Sequence, residues 1–170
     1  MELKDYILVE FDGLDRGMTR AISGLTHEEL AWRPSSECNS IGLILFHVAK
    51  FEDSFTNKRL QDKAEAWEMG KWYQRLNLAQ NEAGAHYTAE QVNAFPLPGR
   101  EELLAYHTEV RGQTKDYLNN TTPDIFEKKI TLPHFGERTI AAIFSLMVAH
   151  ASQHVGEISY LRGIQRGMDK

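Results

Sequence analysis

Hydrophobic residues recur along this chain at intervals of three and four, which is the repeat of one helix face. The repeat predicts four long amphipathic helices, at residues 3–23, 41–58, 100–120 and 139–163. Asn39 and Ser40 are favourable N-cap residues for the second of them. Four such helices predict an all-α four-helix bundle that forms a single domain over residues 1–170.

The connections carry patterns of their own. Residues 61–98 are too long for a structureless loop, and we expect one or two short helices there, packed across the bundle. Capping boxes begin at Thr26 and Thr88, and each predicts a short helical turn. Residues 127–138 form either an extended crossover or a short strand. The aromatic residues of the long connection are expected to pack in the core or to line a pocket: Trp67, Trp72 and Tyr73.

Two histidines of the fourth helix occupy positions where the repeat requires core residues. His150 and His154 are four residues apart, which places both imidazoles on one helix face. Burying them beside Met147 and Ile158 costs free energy unless their polar atoms are satisfied. A shared metal ion would satisfy both, and bundle cores are a usual place for such sites.

His47 of the second helix also faces inward, three residues after Ile44 and four before Phe51. Three buried histidines on two helices are explained most simply by one divalent transition-metal ion. The alternative is that each is a core histidine bonded to a neighbour. Imidazole ligands alone suit zinc, nickel, iron or copper. Three neutral ligands leave an open position, the arrangement of a catalytic site and not of a structural one.

Glu157 is the candidate acid beside this site. Ala151 stands where a zinc-protease motif requires glutamate, so the pair His150 and His154 does not form that motif. Glu157 follows His154 by three residues and stays near the same face. It could accept a hydrogen bond from a ligand imidazole, act as a base, bind the metal as a fourth ligand, or simply reach solvent.

The remaining histidines and acids are expected to lie outside the site. His107 faces the seam of the third helix, where a core histidine is more common than a ligand. Glu52 and Asp53 turn away from the face of His47, which favours a solvated acidic surface. Three histidines fall in turns or loops and are expected to be exposed or locally bonded: His27, His86 and His134.

The composition restricts the partners. The formal charge is −5 and no cluster of Lys and Arg occurs, which argues against nucleic acid or an anionic membrane as the main partner. No stretch has the length of a membrane span, and the first residues lack the apolar core of a signal peptide. The single cysteine, Cys38, excludes an internal disulfide and suits a cytoplasmic location.

Two histidine-bearing segments resemble a known family. Residues 39–53, NSIGLILFHVAKFED, resemble the second-helix signature of the DinB/YfiT-like superfamily, and residues 150–163, HASQHVGEISYLRG, resemble its fourth-helix signature. Residues 30–34, LAWRP, are similar to the stretch between its first two helices. The resemblance implies an up-down-down-up bundle, often a homodimer, in which His47, His150 and His154 hold nickel or zinc, with iron as a further possibility.

Some relatives in that family transfer a low-molecular-weight thiol, and the family name records induction by DNA damage. The resemblance therefore implies a metal-dependent thiol S-transferase that acts on small electrophiles, with Glu157 as the candidate catalytic residue. Two alternatives stay open, a metal-dependent hydrolase and a non-enzymatic, stress-related metal-binding or interaction protein.

Overall fold

The computed structural model describes residues 1–133 and 135–167, so His134 lies outside the described residues. Eight α-helices occur in that part of the chain: α1 (Leu3–Ile22), α2 (His27–Ala31), α3 (Ile41–Asp53), α4 (Ala66–Met69), α5 (Trp72–Arg75), α6 (Ala89–Ala94), α7 (Arg100–Asn119) and α8 (Ile140–Arg166). Strands β1 (Lys129–Leu132) and β2 (Gly136–Thr139) pair as an antiparallel hairpin. Among the described residues, no helix combines the length and the apolar character needed to cross a membrane.

The four long helices α1, α3, α7 and α8 form the bundle, as the hydrophobic repeat predicts. The closest packing joins α1 to α8 and α3 to α7, and α3 also packs on α8. Near the end of α8, Arg166 donates a hydrogen bond to the carbonyl of Gly24, just after α1. At the start of α7, Arg100 donates to the carbonyl of Leu25. These contacts place the end of α8 and the start of α7 beside the end of α1.

The helix at the centre of the site is α3. The Ser40 hydroxyl accepts a hydrogen bond from the Leu43 amide and caps its first turn. Every residue of α3 from Ile41 to Ala49 is buried except His47, which is half-buried. A helix that is hydrophobic on all sides must be enclosed by other elements. The position of His47 is therefore set by packing on every side of α3.

The second helix differs from its predicted range at its end. The α-helix stops at Asp53, and residues Ser54–Arg59 continue as a π-helix. The wider turns bring Thr56 and Asn57 to face α7, where the two hydroxyls of Thr56 and Thr114 lie 2.8 Å apart. Side-chain pairing with α7 accompanies the change of helix type, which a periodic pattern cannot predict.

The expectation of a solvated surface at Glu52 and Asp53 is wrong. Both side chains are buried, because α7 and the segment after α3 cover this side of the helix. Glu52 accepts two hydrogen bonds from the Arg111 guanidinium, at 2.8 and 2.7 Å. Asp53 accepts hydrogen bonds from the Trp67 amide and the Tyr106 hydroxyl, at 2.9 and 2.7 Å. These partners make burial of the two carboxylates tolerable.

The connections hold more structure than expected. Residues 61–98 contain three short helices, α4, α5 and α6, instead of one or two. The capping boxes at Thr26 and Thr88 are both present. Residues 127–138, left open between a crossover and a strand, include most of the hairpin. Trp67 and Trp72 are fully buried in the core, which confirms their packing role.

Candidate metal centre

The structure brings the three predicted ligands together. The Nε2 atoms of His47 and His150 lie 2.9 Å apart, and those of His150 and His154 lie 3.2 Å apart. One ligand atom from each of the three residues lies within 4.8 Å of the others. All three side chains are half-buried at the interface of α3 and α8. The helical spacing supplies two of the imidazoles, and the packing of α3 on α8 supplies the third.

The ring of His47 is held from behind by a distant loop. Its Nδ1–H donates a hydrogen bond of 2.7 Å to the carbonyl of Gly84. A carbonyl can only accept, so the proton must sit on Nδ1 and the lone pair of Nε2 faces the other histidines. Burial lowers the pKa of His47, although the bond to Gly84 acts in the opposite direction. The neutral imidazole is the form that binds a metal.

His154 is oriented in the same way by an acid. Its Nδ1–H donates to the Glu157 carboxylate over 2.7 Å, within the same helix turn. A carboxylate behind a ligand imidazole is a common feature of metal sites, because it fixes the tautomer and raises the basicity of the ligand. The lone pair of His154 Nε2 therefore also faces the centre of the cluster.

His150 lies between the other two and is fixed by an aromatic ring. Phe51 stacks on its imidazole, with the ring centroids 3.7 Å apart and the planes 13° from parallel. Burial, together with the neighbouring His154 and His47, lowers the pKa of His150 to about 3. The imidazole is therefore neutral around pH 7 and able to bind a metal ion.

The spacing of the three nitrogens fits one ion. At the metal–nitrogen distance of about 2.0–2.1 Å, neighbouring ligand nitrogens are about 3.3 Å apart in a tetrahedral site and about 2.9 Å apart in an octahedral one. The two Nε2 separations of 2.9 and 3.2 Å match these values. The Nε2 lone pairs of His47 and His154 both face this centre, where they would stabilise a cation. The donor set thus fits a divalent transition metal.

A cavity of about 240 Å³ opens beside His47 and His154. Leu43, Ile44 and Ala85 form apolar parts of its wall. Polar groups come from three further side chains, Tyr87, which is half-buried, and Asn39 and His86, which are exposed. The cavity can therefore bind a small molecule that has both polar and apolar groups, beside the histidine cluster.

The other described histidines lie outside the cluster. His107 is buried but does not belong to the cluster, and its Nε2 atom has no hydrogen-bond partner within the described part of the chain. His27 is exposed. His86 is exposed, as expected, yet it lines the cavity, which its loop context did not predict. Two contacts of the cluster, Gly84 and Phe51, were missed. No sequence pattern indicated the contact with Gly84, because 37 residues separate Gly84 from His47.

Comparison with known proteins agrees with the fold. The sequence model of the DinB superfamily matches residues 10–158. A solved structure, described as the conserved protein of a locus from Enterococcus faecalis, is similar with a TM-score of 0.84 and 18% identity. The alignment covers 96% of this chain and 97% of that one. At this identity, the likeness supports the fold alone. Comparison with curated proteins gives no match.

Proposed function

This chain belongs to the DinB superfamily, and we propose that it is a metal-dependent enzyme that transfers a low-molecular-weight thiol to a small electrophile. One observation carries the proposal. Three imidazoles converge on one point, two of them with their rings oriented by partners on the opposite nitrogen, and that point borders a cavity. The metal is proposed to be zinc or nickel, with iron as the third candidate.

Each residue has a defined part in this proposal. His47, His150 and His154 hold the ion through Nε2. A divalent ion in such a site lowers the pKa of a thiol or water that binds it. The thiol sulfur then bonds to the electrophilic carbon, and the bond from that carbon to its leaving group breaks with its electron pair. A water molecule beside the site takes the thiol proton and passes it to the carboxylate of Glu157, whose half-exposed side chain also reaches solvent.

The cavity supports a small substrate. Its volume of about 240 Å³ lies just below the usual range of ligand pockets, about 300–1,000 Å³. Leu43 and Ile44 suit the apolar body of an electrophile, and Asn39 and His86 offer hydrogen bonds to polar groups. Among the described residues that line the cavity, the histidines are the only titratable groups besides Tyr87, so a neutral electrophile fits it better than a highly charged one.

The metal centre is tested first. Metal content is measured on protein purified without chelators, for the wild type and for His47→Ala, His150→Ala and His154→Ala. We expect one equivalent of a transition metal in the wild type and a large loss in each variant. His27→Ala is the matched control, because His27 is exposed and remote from the cluster in sequence. A wild type that retains no transition metal contradicts the proposal.

The reaction is tested next. Metal-loaded protein is incubated with a panel of low-molecular-weight thiols and monochlorobimane, and conjugation is followed by fluorescence. We expect conjugation above background that is lost in His150→Ala. Tight metal binding without turnover for any thiol contradicts the transferase and favours the non-enzymatic metal-binding protein. Turnover of ester or amide substrates instead would favour the hydrolase.

Two further expectations accompany this proposal. We propose a homodimer, which sedimentation velocity measures directly. We also propose a cytoplasmic location, which is supported by a single cysteine, Cys38, that is free of any disulfide.

A further inference from the structure

We propose that Gly84 is a positioning residue of the metal centre, whose carbonyl sets the tautomer and the orientation of His47. The inference rests on the metal site proposed above. It concerns a residue that does not bind the ion and lies in the loop between α5 and α6, far from all three ligands in sequence.

The His47 imidazole contacts the Gly84 carbonyl directly. The hydrogen bond from His47 Nδ1 to the Gly84 carbonyl is 2.7 Å long and joins two elements 37 residues apart. It keeps the proton on Nδ1 and directs the Nε2 lone pair toward His150 and His154. Without this acceptor, the imidazole could protonate Nε2 instead or rotate, and either change would remove one of the three donors.

Backbone conformation and close packing explain why glycine occupies this position. The backbone of Gly84 has φ +73°, in the left-handed region that side chains rarely adopt. A Cβ there would also lie 2.7 Å from Cβ and 2.9 Å from Cγ of Lys50, on α3. Both atoms are near the backbone and cannot move aside easily. Only a residue without a side chain lets the carbonyl approach His47 so closely.

The lysine that packs against Gly84 is held in place by contacts of its own. Lys50 is buried, forms an ion pair of 2.7 Å with Glu65, and lies over the Trp67 ring at 4.9 Å. A substitution at Gly84 must therefore displace the loop and not the lysine. Displacing the loop moves the acceptor away from His47.

The loop is also fixed on both sides of Gly84. Before it, the Trp67 indole N–H donates to the carbonyl of Gln80 over 2.8 Å. Across it, the Tyr87 hydroxyl donates to the Glu82 carboxylate over 2.7 Å. The residues that follow Gly84, Ala85 to Tyr87, line the cavity. The same short segment thus contacts the cavity and holds a metal ligand in place.

The test compares two glycines of similar backbone conformation. Gly84→Ala introduces a side chain that meets Lys50. Gly136→Ala introduces one at φ +69° in the hairpin, where no atom of the described residues lies within 4 Å of the new Cβ. Affinity for zinc is measured by competition with a chromophoric chelator, and the visible absorption spectrum is recorded for the cobalt-loaded proteins. Circular dichroism and thermal unfolding of the metal-free proteins report folding separately.

We expect Gly84→Ala to bind zinc about tenfold or more weakly and to show an altered cobalt spectrum. Gly136→Ala is expected to lose some stability, from the same backbone strain, with wild-type affinity and spectrum. A folded Gly84→Ala protein with wild-type affinity and spectrum overturns the proposal. If Gly84→Ala does not fold, Tyr87→Phe decides, because it loosens the loop without adding an atom. Weaker zinc binding then supports the proposal, and unchanged binding overturns it.

These outcomes are separate from a failure of the proposed function. If the wild type binds no zinc or cobalt, the metal site itself is wrong. If the wild type binds both and Gly84→Ala is indistinguishable from it, only the role of Gly84 is wrong. None of the readouts requires an enzymatic activity.

Discussion

Glu157 accepts a hydrogen bond from His154 through the nitrogen that lies on the opposite side of the imidazole from the histidine cluster. The carboxylate therefore orients the imidazole from behind and does not face the centre of the cluster directly. Within one helix turn, the structure links an exposed acid to a half-buried candidate ligand. This link allows an orienting role and a proton-accepting role to be tested separately.

Substitutions of Glu157 should separate those two roles. Glu157→Gln keeps an oxygen acceptor for His154 but removes the base, so we expect retained zinc affinity and conjugation slowed about 100-fold. Glu157→Ala removes both, and we expect zinc affinity to fall about tenfold as well. Wild-type turnover by Glu157→Gln would exclude the proton transfer, and wild-type affinity of Glu157→Ala would exclude the orienting role.

Phe51 should contribute to metal affinity without touching the ion. Its ring stacks on His150 and limits the rotation of that imidazole. Stacking of this kind contributes about 0.5–1.5 kcal/mol, so we expect Phe51→Ala to weaken zinc binding about two- to tenfold. Chelator competition measures the change. Phe135→Ala is the control, because that phenylalanine is exposed on the hairpin turn. An equal loss in both variants would contradict a specific effect of the stack.

The buried pair of Glu52 and Arg111 should make stability depend on pH. Burial alone raises the pKa of Glu52, but the charge and hydrogen bonds of Arg111, with the Thr114 hydroxyl, outweigh it and hold the pKa below its usual value. A lowered carboxyl pKa stabilises the fold above the unfolded value, and this contribution is lost as the pH falls through the folded value. We therefore expect the free energy of unfolding to fall below about pH 4.5.

Glu52→Gln tests that assignment. This substitution removes the buried negative charge that pairs with the Arg111 guanidinium. We expect the free energy of unfolding to fall by about 3 kcal/mol at pH 7 and by less in acid. Urea denaturation at pH 7 and at pH 4 measures both values. Glu137→Gln breaks an exposed ion pair with Lys129 and should change stability by less than about 1 kcal/mol. If the two variants lose equal free energy of unfolding, the buried ion pair contributes no more to stability than the exposed one.

His107 should be dispensable for the metal and unfavourable for the fold. Its buried Nε2 has no partner among the described residues, and an unsatisfied buried polar atom costs free energy. We expect His107→Leu to raise the free energy of unfolding by about 1 kcal/mol and to leave metal content unchanged. Urea denaturation and metal analysis check the two halves. Loss of metal from this variant would mean that the ligand set is incomplete.

Most of the bundle follows from local pattern. The three- and four-residue repeat predicts all four long helices, because a helix places such residues on one face whatever surrounds it. The same geometry pairs His150 with His154. The positions of Ile44 and Phe51 predict that His47 also faces inward. Grouping His47 with the two histidines of α8 then requires only that the inward faces of the two helices pack together.

Tertiary structure alone decided the rest. Glu52 and Asp53 lie on the side of α3 that the repeat marks as polar, yet α7 and the following segment cover that side and supply Arg111, 59 residues away from Glu52, as a partner. Gly84 reaches His47 only because the loop crosses the bundle at that point. Such contacts join residues that no local period relates, so the sequence names the three donors while the packing determines how they are oriented.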